Sequence, residues 1–192
     1  MNIDSLKQAV DETSQVLRNG GIILYPTDTV WGIGCDATNP TAVEKIYKLK
    51  KRDDSKSMIV LVDIPERIPS YVDQVPEVAW DLIDLATKPL TIIYSKAKNL
   101  APNLVASNGS IGIRVVKHEF CQKLIQRFGR PIVSTSANIS GMPSAVNFEE
   151  ISDEIKSGVD YIVSKTFHKP VSNKPSSIIS LGQNGEVKVI RE

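Results

Sequence analysis

The sequence contains 192 residues, of which 41% are hydrophobic and 23% are charged, a composition typical of globular proteins. This composition excludes disorder over most of the chain, and a chain of this length buries enough surface to fold without disulfides or structural metals. Its 23 Lys and Arg residues nearly balance 22 Asp and Glu residues, giving a formal net charge of +1. Any contact with nucleic acid must therefore come from a local basic patch. We expect a single domain over residues 1–192.

The cysteines and the apolar runs indicate the cellular compartment. Cys35 and Cys121 stand far apart and form no CxxC pair, which argues against a zinc or redox site and is typical of reduced cysteines. No apolar run approaches the roughly 18 residues that span a bilayer, and the N-terminus lacks the pattern of a signal peptide. We therefore expect a cytoplasmic protein without membrane contact.

The hydrophobic periodicity predicts helices and strands that alternate along the chain. In chain order the predicted elements are a helix over 6–17, a strand over 22–25, a helix over 40–50, a strand over 58–62, a helix over 78–85, strands over 90–94 and 111–115, a helix over 120–128, a strand over 132–133, and strands over 161–163, 177–181 and 187–190. The Asn39-Pro40 pair is a typical helix cap and first turn. A turn at 183–185 predicts that the last two strands form a hairpin. An α/β sheet of mixed direction is the expected fold.

A polar turn directly follows the first predicted strand. Residues 25–34 read YPTDTVWGIG, so that Thr27, Asp28 and Thr29 offer two hydroxyls and a carboxylate, and two glycines let a ligand approach the backbone. Ligands of α/β sheets bind at such strand ends. The same spacing equally fits a capped turn whose hydroxyls bond only to backbone groups.

A basic cluster lies at the end of the second predicted helix. Lys48, Lys50, Lys51 and Arg52 are adjacent there, where the helix dipole favours cations. Lysine and arginine at this spacing would suit a polyphosphate, and a solvated basic face is the alternative interpretation. The chain has no Walker A sequence and no GxGxxG fingerprint, so a bound nucleotide requires a less common architecture.

Two later strands also carry polar groups. Arg114 lies in the apolar strand 111–115 and requires a carboxylate partner, either from a substrate or from the protein itself. Residues 131–144 read PIVSTSANISGMPS, a strand that runs into hydroxyls and an amide. These groups suit phosphate oxygens, a ribose or a base, and the alternative is a loop that caps a helix starting near Asn147.

The remaining aromatic and histidine residues give weaker signals. Trp31 would suit stacking on a base, although an aromatic beside a buried strand is more often part of the core. His118 and His168 have no metal-ligand spacing, and no GxSxG elbow accompanies them. The sequence therefore gives little support to a hydrolase.

Five short motifs occur in order over nearly the whole chain. They are PTDTVWGIG at 26–34, KKR at 50–52, GIR at 112–114, STSAN followed by Ser-Gly at 134–141, and PSSI at 175–178. Together they resemble the YrdC-like family, the threonylcarbamoyl-AMP synthases of tRNA modification. The length matches the short, single-domain members of that family.

The resemblance implies a fold, a reaction and a set of site residues. The fold would be an α/β fold with a twisted, open mixed sheet, flanking helices and a concave positive cavity. The reaction would convert ATP, L-threonine and bicarbonate into threonylcarbamoyl-AMP and pyrophosphate. L-threonine would be bound by Thr29, Arg114, Ser136 and Ser176. ATP would be surrounded by Lys50, Arg52, Lys56, Ser110, Ser134, Asn138, Ser144 and Arg191. Lys50 and Arg52 would be catalytic and, together with Mg²⁺, would stabilise the leaving pyrophosphate.

The resemblance also implies partners and leaves rival functions. The product would pass to proteins that transfer the threonylcarbamoyl group to the tRNA adenosine next to the anticodon. A module that binds double-stranded RNA or tRNA without catalysis is the alternative. Its phosphate contacts would come from Lys45, Lys48, Lys50, Lys51, Arg52 and Lys56. The related carbamoyl-adenylate domain of hydrogenase maturation usually lies in a much longer chain with zinc-finger-like cysteines, and neither feature occurs here.

Overall fold

The structure is a computed structural model that describes residues 3–51, 58–145, 147–182 and 185–192. The helices and strands are α1 (Ile3–Arg18), β1 (Ile23–Tyr25), β2 (Gly32–Gly34), α2 (Pro40–Lys50), β3 (Ile59–Val62), α3 (Val78–Leu85), β4 (Leu90–Tyr94), β5 (Ile111–Val115), α4 (Glu119–Phe128), β6 (Ile132–Ser136), α5 (Asp153–Gly158), β7 (Tyr161–Ile162), β8 (Ser177–Leu181) and β9 (Val187–Arg191). Every predicted helix and strand is present, most within one or two residues of its expected bounds. None of the helices in the described part of the chain is long and apolar enough to cross a membrane.

Within the described ranges, the strands form one mixed sheet in the order β7-β1-β2-β6-β3-β5-β4-β8-β9. The pairs β1-β7, β3-β5 and β4-β8 are parallel, and the other neighbours are antiparallel. The predicted hairpin between the last two strands is confirmed, although two of its turn residues, 183 and 184, lie outside the described ranges.

The second helix begins and ends as its sequence predicts. Asn39 Oδ1 accepts hydrogen bonds from the backbone nitrogens of Thr41 at 3.0 Å and Ala42 at 3.2 Å, which satisfies two donors at the start of α2. Lys51 ends the helix in the left-handed region with a φ of 48°. The cap thus fixes α2, whose last residue is Lys50.

The sheet has a hydrophobic cluster on each face, because alternate strand residues point to opposite faces. In β3, Val60 and Val62 belong to one cluster and Leu61 belongs to the other. Residues of α2, α3 and α5 pack in the first cluster, and residues of α1 and α4 pack in the second. The sheet is therefore flanked by helices on both faces, as the family resemblance implies.

Helices α1 and α4 cover only part of their face of the sheet. Leu61 of β3 and Ile132 of β6 are buried in the cluster with these helices. Ile59 and Ser134, two residues along the same strands, line a cavity instead. The uncovered part of this face positions the candidate site.

Strand β2 lies in a stretch predicted as loop. A Cβ atom on Gly34 would lie 2.6 Å from the Val133 carbonyl oxygen and 2.7 Å from the Tyr25 ring, so glycine is needed for β1 and β6 to approach β2 this closely. The other unpredicted element is α5, whose six residues are too few to show a helical period. Strand β6 extends to Ser136 rather than ending at Val133, because Gly32 and Ile33 of β2 pair with Ser136 and Thr135.

Candidate active site

A cavity of about 230 Å³ opens on the uncovered part of the sheet face. Two guanidinium groups and several hydroxyls give it a polar, cationic lining. The lining residues are Thr29, Val30, Trp31, Gly32, Met58, Ile59, Arg114, Ser134, Thr135, Ser136, Ser144, Pro175, Ser176, Ile178 and Arg191. The turn after β1, the ends of β3 and β6 and the chain around β8 therefore meet at one site.

In the turn after β1, the hydroxyl groups of Thr27 and Thr29 form a short hydrogen-bonded network. Thr27 Oγ1 donates to the Val30 carbonyl oxygen at 2.7 Å and accepts from the Thr29 backbone nitrogen at 3.1 Å. Thr29 Oγ1 lies 3.0 Å from Thr27 Oγ1. Because the Thr27 proton is used on Val30, the Thr29 hydroxyl donates to Thr27 and keeps its lone pairs for a ligand. Thr27 thus fits the capped-turn interpretation, and Thr29 lines the cavity.

Arg114 has a carboxylate partner within the protein and also lines the cavity. Its Nη2 lies 3.1 Å from Asp28 Oδ1, and both side chains are almost fully buried. Its Nε has no hydrogen-bond partner among the residues that the structure describes. Arg114 thus pairs with Asp28 and also lines the cavity, so we expect its remaining donors to be available to a second anion.

A second guanidinium stands near the first. Arg191 Nε and Nη2 donate to the Ser176 carbonyl oxygen at 3.0 and 2.7 Å. Partial burial and the neighbouring Arg114 lower the pKa of Arg191 from its ordinary value. The two cations thus repel each other, and an anion bound at the cavity would offset that repulsion.

The chain before β8 is joined to the sheet by a buried pair of hydroxyls. Ser176 Oγ and Thr91 Oγ1 are 2.7 Å apart. Val171 and Ser172, earlier in the same segment, donate their backbone N–H groups to the Asp28 carbonyl oxygen at 2.9 and 3.1 Å. These contacts fix Ser176 at the cavity and connect its segment to the turn after β1.

The side chain of Lys50 is hydrogen-bonded to the loop after β6. Lys50 is buried, and its Nζ donates to the carbonyl oxygens of Ser136 and Asn138, each at 2.5 Å. Asn138 Nδ2 in turn donates to the Ile139 and Met142 carbonyl oxygens at 3.0 and 2.6 Å. Lys50 and Asn138 therefore shape the loop that presents Ser136 and Ser144 to the cavity.

Trp31 forms an apolar wall of the cavity. It is fully buried, belongs to the hydrophobic core and packs against Phe148 and His168, with ring centroids 5.0 and 5.3 Å away. The interpretation of Trp31 as a core residue is confirmed. This wall supplies contact area beside the polar groups.

His118 lies buried next to the Asp28 side of the site. Its Nε2 donates to the Phe167 carbonyl oxygen at 3.1 Å. Burial lowers the pKa of His118 from its ordinary value, and the charge of Asp28 opposes this effect only in part. The folded protein therefore holds this imidazole neutral more strongly than the unfolded chain does.

We expect His118 to make the protein less stable in acid. Because its pKa is lowered on folding, the unfolded chain binds more protons below about pH 6.5, and the free energy of unfolding falls as the pH decreases from there. Above that pH the contribution of His118 is constant. Urea unfolding at pH 7.5, 6 and 5 should show a weaker decline for His118→Gln, and equal declines for the two proteins would contradict this account.

Most of the chain matches one protein family. The Sua5/YciO/YrdC family model, described as "Telomere recombination", matches residues 15–192. The chain belongs to the Sua5/YciO/YrdC family. The resemblance that the five motifs indicate is thereby confirmed.

Curated relatives within the Sua5/YciO/YrdC family carry a functional name. A threonylcarbamoyl-AMP synthase from Photobacterium profundum is 35% identical over 161 residues, which are 80% of this chain and 82% of the relative. Another from Pseudoalteromonas translucida is 33% identical over 174 residues, 89% of this chain and 91% of the relative.

Solved structures of the family share the fold. P. abyssi Sua5 complexed with L-threonine matches with a TM-score of 0.85 and 25% identity, covering 95% of this chain and 53% of that one. E. coli YciO matches with a TM-score of 0.83 and 26% identity, covering 96% of this chain and 89% of that one. The open mixed sheet with flanking helices is thereby confirmed, and this chain spans about half the length of Sua5.

The structure brings together most of the site residues that the family resemblance predicts. The cavity is lined by all four residues predicted for L-threonine, Thr29, Arg114, Ser136 and Ser176, and by three predicted for ATP, Ser134, Ser144 and Arg191. Lys50, Ser110 and Asn138 are not among the lining residues, and Lys50 supports the loop after β6 instead. Arg52 and Lys56 lie outside the described residues.

The sequence does not indicate the roles of several residues that build the site. It marks Asp28 as a carboxylate without a role, yet Asp28 is the ion-pair partner of Arg114. Thr91 pairs with Ser176 across 85 residues of sequence. Met58, Ile59 and Ile178 add apolar lining. The polar character of the turn at 27–29 is a signal for Asp28, whereas no local signal marks Thr91 or the apolar residues.

Proposed function

We propose that this chain is an L-threonylcarbamoyladenylate synthase, a nucleotidyltransferase that converts ATP, L-threonine and bicarbonate into threonylcarbamoyl-AMP and pyrophosphate. The observation that carries the proposal is the meeting of Thr29, Arg114, Ser136 and Ser176 at one cavity. The curated relatives named threonylcarbamoyl-AMP synthase and the Sua5 structure complexed with L-threonine support it.

The Arg114 side of the cavity suits an amino acid. Arg114 lines the cavity, and its guanidinium would bind the carboxylate of L-threonine. Thr29 Oγ1, whose proton is committed to Thr27, would accept from the substrate amine. Hydroxyls of Ser136 and Ser176 and the apolar side chain of Ile59 complete a pocket for a small polar side chain with a methyl group.

The other part of the cavity suits a nucleotide triphosphate. Ser134, Ser144 and Arg191 offer hydroxyls and a guanidinium to phosphate oxygens. Arg52 and Lys56, which the family resemblance predicts for ATP, would add positive charge for the triphosphate. The described residues gather no cluster of three His, Cys, Asp or Glu side chains that would hold a metal, so Mg²⁺ would arrive as its complex with the ATP phosphates.

The reaction requires positioning more than a side-chain nucleophile. The amine of L-threonine combines with bicarbonate to give a carbamate and water. A carbamate oxygen then attacks the α-phosphorus of ATP, and the bond to the leaving pyrophosphate breaks. Arg114 and Thr29 hold the carbamate, and the cationic groups stabilise the charge that develops on the pyrophosphate. The product is then consumed by proteins that transfer the threonylcarbamoyl group to tRNA.

The basic cluster gives little support to an RNA-binding module. Lys45 donates to the Gly20 carbonyl oxygen at 2.8 Å, Lys48 pairs with Glu44 at 2.6 Å, and Lys51 pairs with Glu154 at 2.8 Å. The two glutamates offset the positive charge that the helix offers to phosphates, and the Gly20 carbonyl occupies the Lys45 ammonium. The enzyme remains the better-supported function, and direct tRNA contact is an outcome to be tested.

The experiment is pyrophosphate release from Mg²⁺-ATP. We expect release only when both L-threonine and bicarbonate are present, with L-serine as a weaker substrate because it lacks the methyl group. Release without either substrate would indicate simple ATP hydrolysis. No release, together with tRNA binding that weakens steeply with salt, would favour the RNA-binding module instead.

A further inference from the structure

Asp28 is a buried charge that the proposed reaction does not use directly. Its side chain is fully buried, and among the described residues it is the acidic group within ion-pair distance of Arg114. A buried carboxylate requires charged or hydrogen-bonded partners, since its desolvation otherwise costs several kcal/mol. Asp28 pairs with Arg114, which lines the cavity, so the role of this buried charge calls for an explanation.

The position of Asp28 is fixed by contacts on both its side chain and its backbone. Oδ2 accepts from the Lys117 backbone nitrogen at 3.2 Å, on the chain that leaves β5. Its carbonyl oxygen accepts from Val171 and Ser172 at 2.9 and 3.1 Å. The carboxylate is thus tied to β5, which carries Arg114, and its backbone is tied to the segment that carries Ser176.

Asp28 also sets the charge balance of the cavity. Arg114 and Arg191 lie near enough for one to lower the pKa of the other. Without Asp28, no acidic side chain among the described residues lies within ion-pair distance to offset the repulsion between the two guanidiniums. With Asp28 and a substrate carboxylate both present, two cations face two anions.

We propose that Asp28 is a positioning residue that holds the Arg114 guanidinium in the orientation that receives the substrate carboxylate. This inference rests on the proposed function, because it takes an α-amino acid as the ligand of Arg114. Asp28 itself does not touch the substrate and acts through Arg114.

The test is the Asp28→Asn variant, which keeps the shape and the backbone contacts and removes the charge. We expect the KM for L-threonine to rise about tenfold or more, and the KM for ATP to change less than about twofold. An unchanged threonine KM with a lower melting temperature would mean a structural role only. A lower threonine KM would mean that Asp28 merely competes with the substrate for Arg114. Either result overturns the proposal.

A matched control separates positioning from the loss of a buried ion pair. Asp36 is buried and pairs with Arg130 at 2.8 Å, near Ile132 at the start of β6, whereas the cavity lies at the other end of that strand. Asp36→Asn should lower the melting temperature and leave the threonine KM unchanged. If Asp28→Asn does not fold, the same KM measurements are made on Asp28→Glu. This variant keeps the charge and displaces it by one methylene.

A double-mutant cycle with Arg114→Lys identifies the route of the effect. If Asp28 acts through Arg114, adding Asp28→Asn to Arg114→Lys should change the threonine KM by less than about twofold, and independent effects would overturn the proposal. The wild-type protein distinguishes this failure from that of the proposed function. A wild type that releases no pyrophosphate contradicts the function, whereas an active wild type with additive variants contradicts only the role of Asp28.

Discussion

The variant Arg114→Lys should stay folded and lose about 100-fold in kcat/KM for L-threonine, a change of about 2.7 kcal/mol in transition-state stabilisation. Lysine keeps the positive charge that Asp28 requires, so the buried carboxylate is not left unpaired. It lacks the planar fork of donors that, in the proposed function, would bind Asp28 and a substrate carboxylate at the same time. The loss should therefore appear in substrate use rather than in folding.

Pyrophosphate release at saturating ATP and varied L-threonine measures this effect, with thermal unfolding as the check on folding. Arg130→Lys is the matched control, because Arg130 also pairs with a buried aspartate and is not among the cavity-lining residues. We expect Arg130→Lys to retain wild-type kcat/KM. Similar losses in both variants would show that Arg114 acts through general stability and not through the substrate.

The periodic elements of the fold are predictable because their signals are local. Strand β5 has the same bounds, 111–115, in the sequence prediction and in the structure, since its apolar run is buried within the sheet. The cap at Asn39 likewise depends on neighbouring residues alone. Where side-chain type and spacing determine the structure, the sequence is sufficient.

Strand β2 is not predictable because its cause is remote in sequence. Its three residues, Gly32, Ile33 and Gly34, carry little strand propensity of their own. Their pairing with β1 and β6 holds them in the sheet. Pairing with β2 also extends β6 through Thr135 and Ser136, whereas Ser134 pairs with Ile59 of β3. These hydroxyl residues look like a loop by pattern, yet as part of β6 they line the cavity.

The site shows the same division between local and remote causes. The sequence indicates that Arg114 needs a carboxylate, but it does not choose between a substrate and Asp28, which stands much earlier in the chain. The structure shows that Asp28 pairs with the guanidinium and that Arg114 also lines the cavity. The family resemblance supplies the remaining roles, and it places Lys50 on the triphosphate where the structure gives it loop carbonyls.

The second large effect is expected from replacing Lys50. Lys50→Met keeps the aliphatic length and removes the ammonium that binds the Ser136 and Asn138 carbonyl oxygens. Because two partly buried acceptors lose a charged donor, we expect the free energy of unfolding to fall by about 3 kcal/mol. Since Ser136 lines the cavity, pyrophosphate release should fall as well. Urea unfolding and steady-state release measure the two effects.

Lys48→Met on the same helix is the control for charge alone. Lys48 is exposed and pairs with Glu44, so its loss should change stability by less than about 0.5 kcal/mol and leave turnover unchanged. In Lys50→Met, comparing the loss of stability with the loss of turnover shows whether Lys50 supports the loop or binds the triphosphate. If stability and turnover fall together, with KM for L-threonine and for ATP both raised, Lys50 works through the loop that it supports. If turnover falls while stability is retained, Lys50 leaves the loop to bind the triphosphate, as the family resemblance implies.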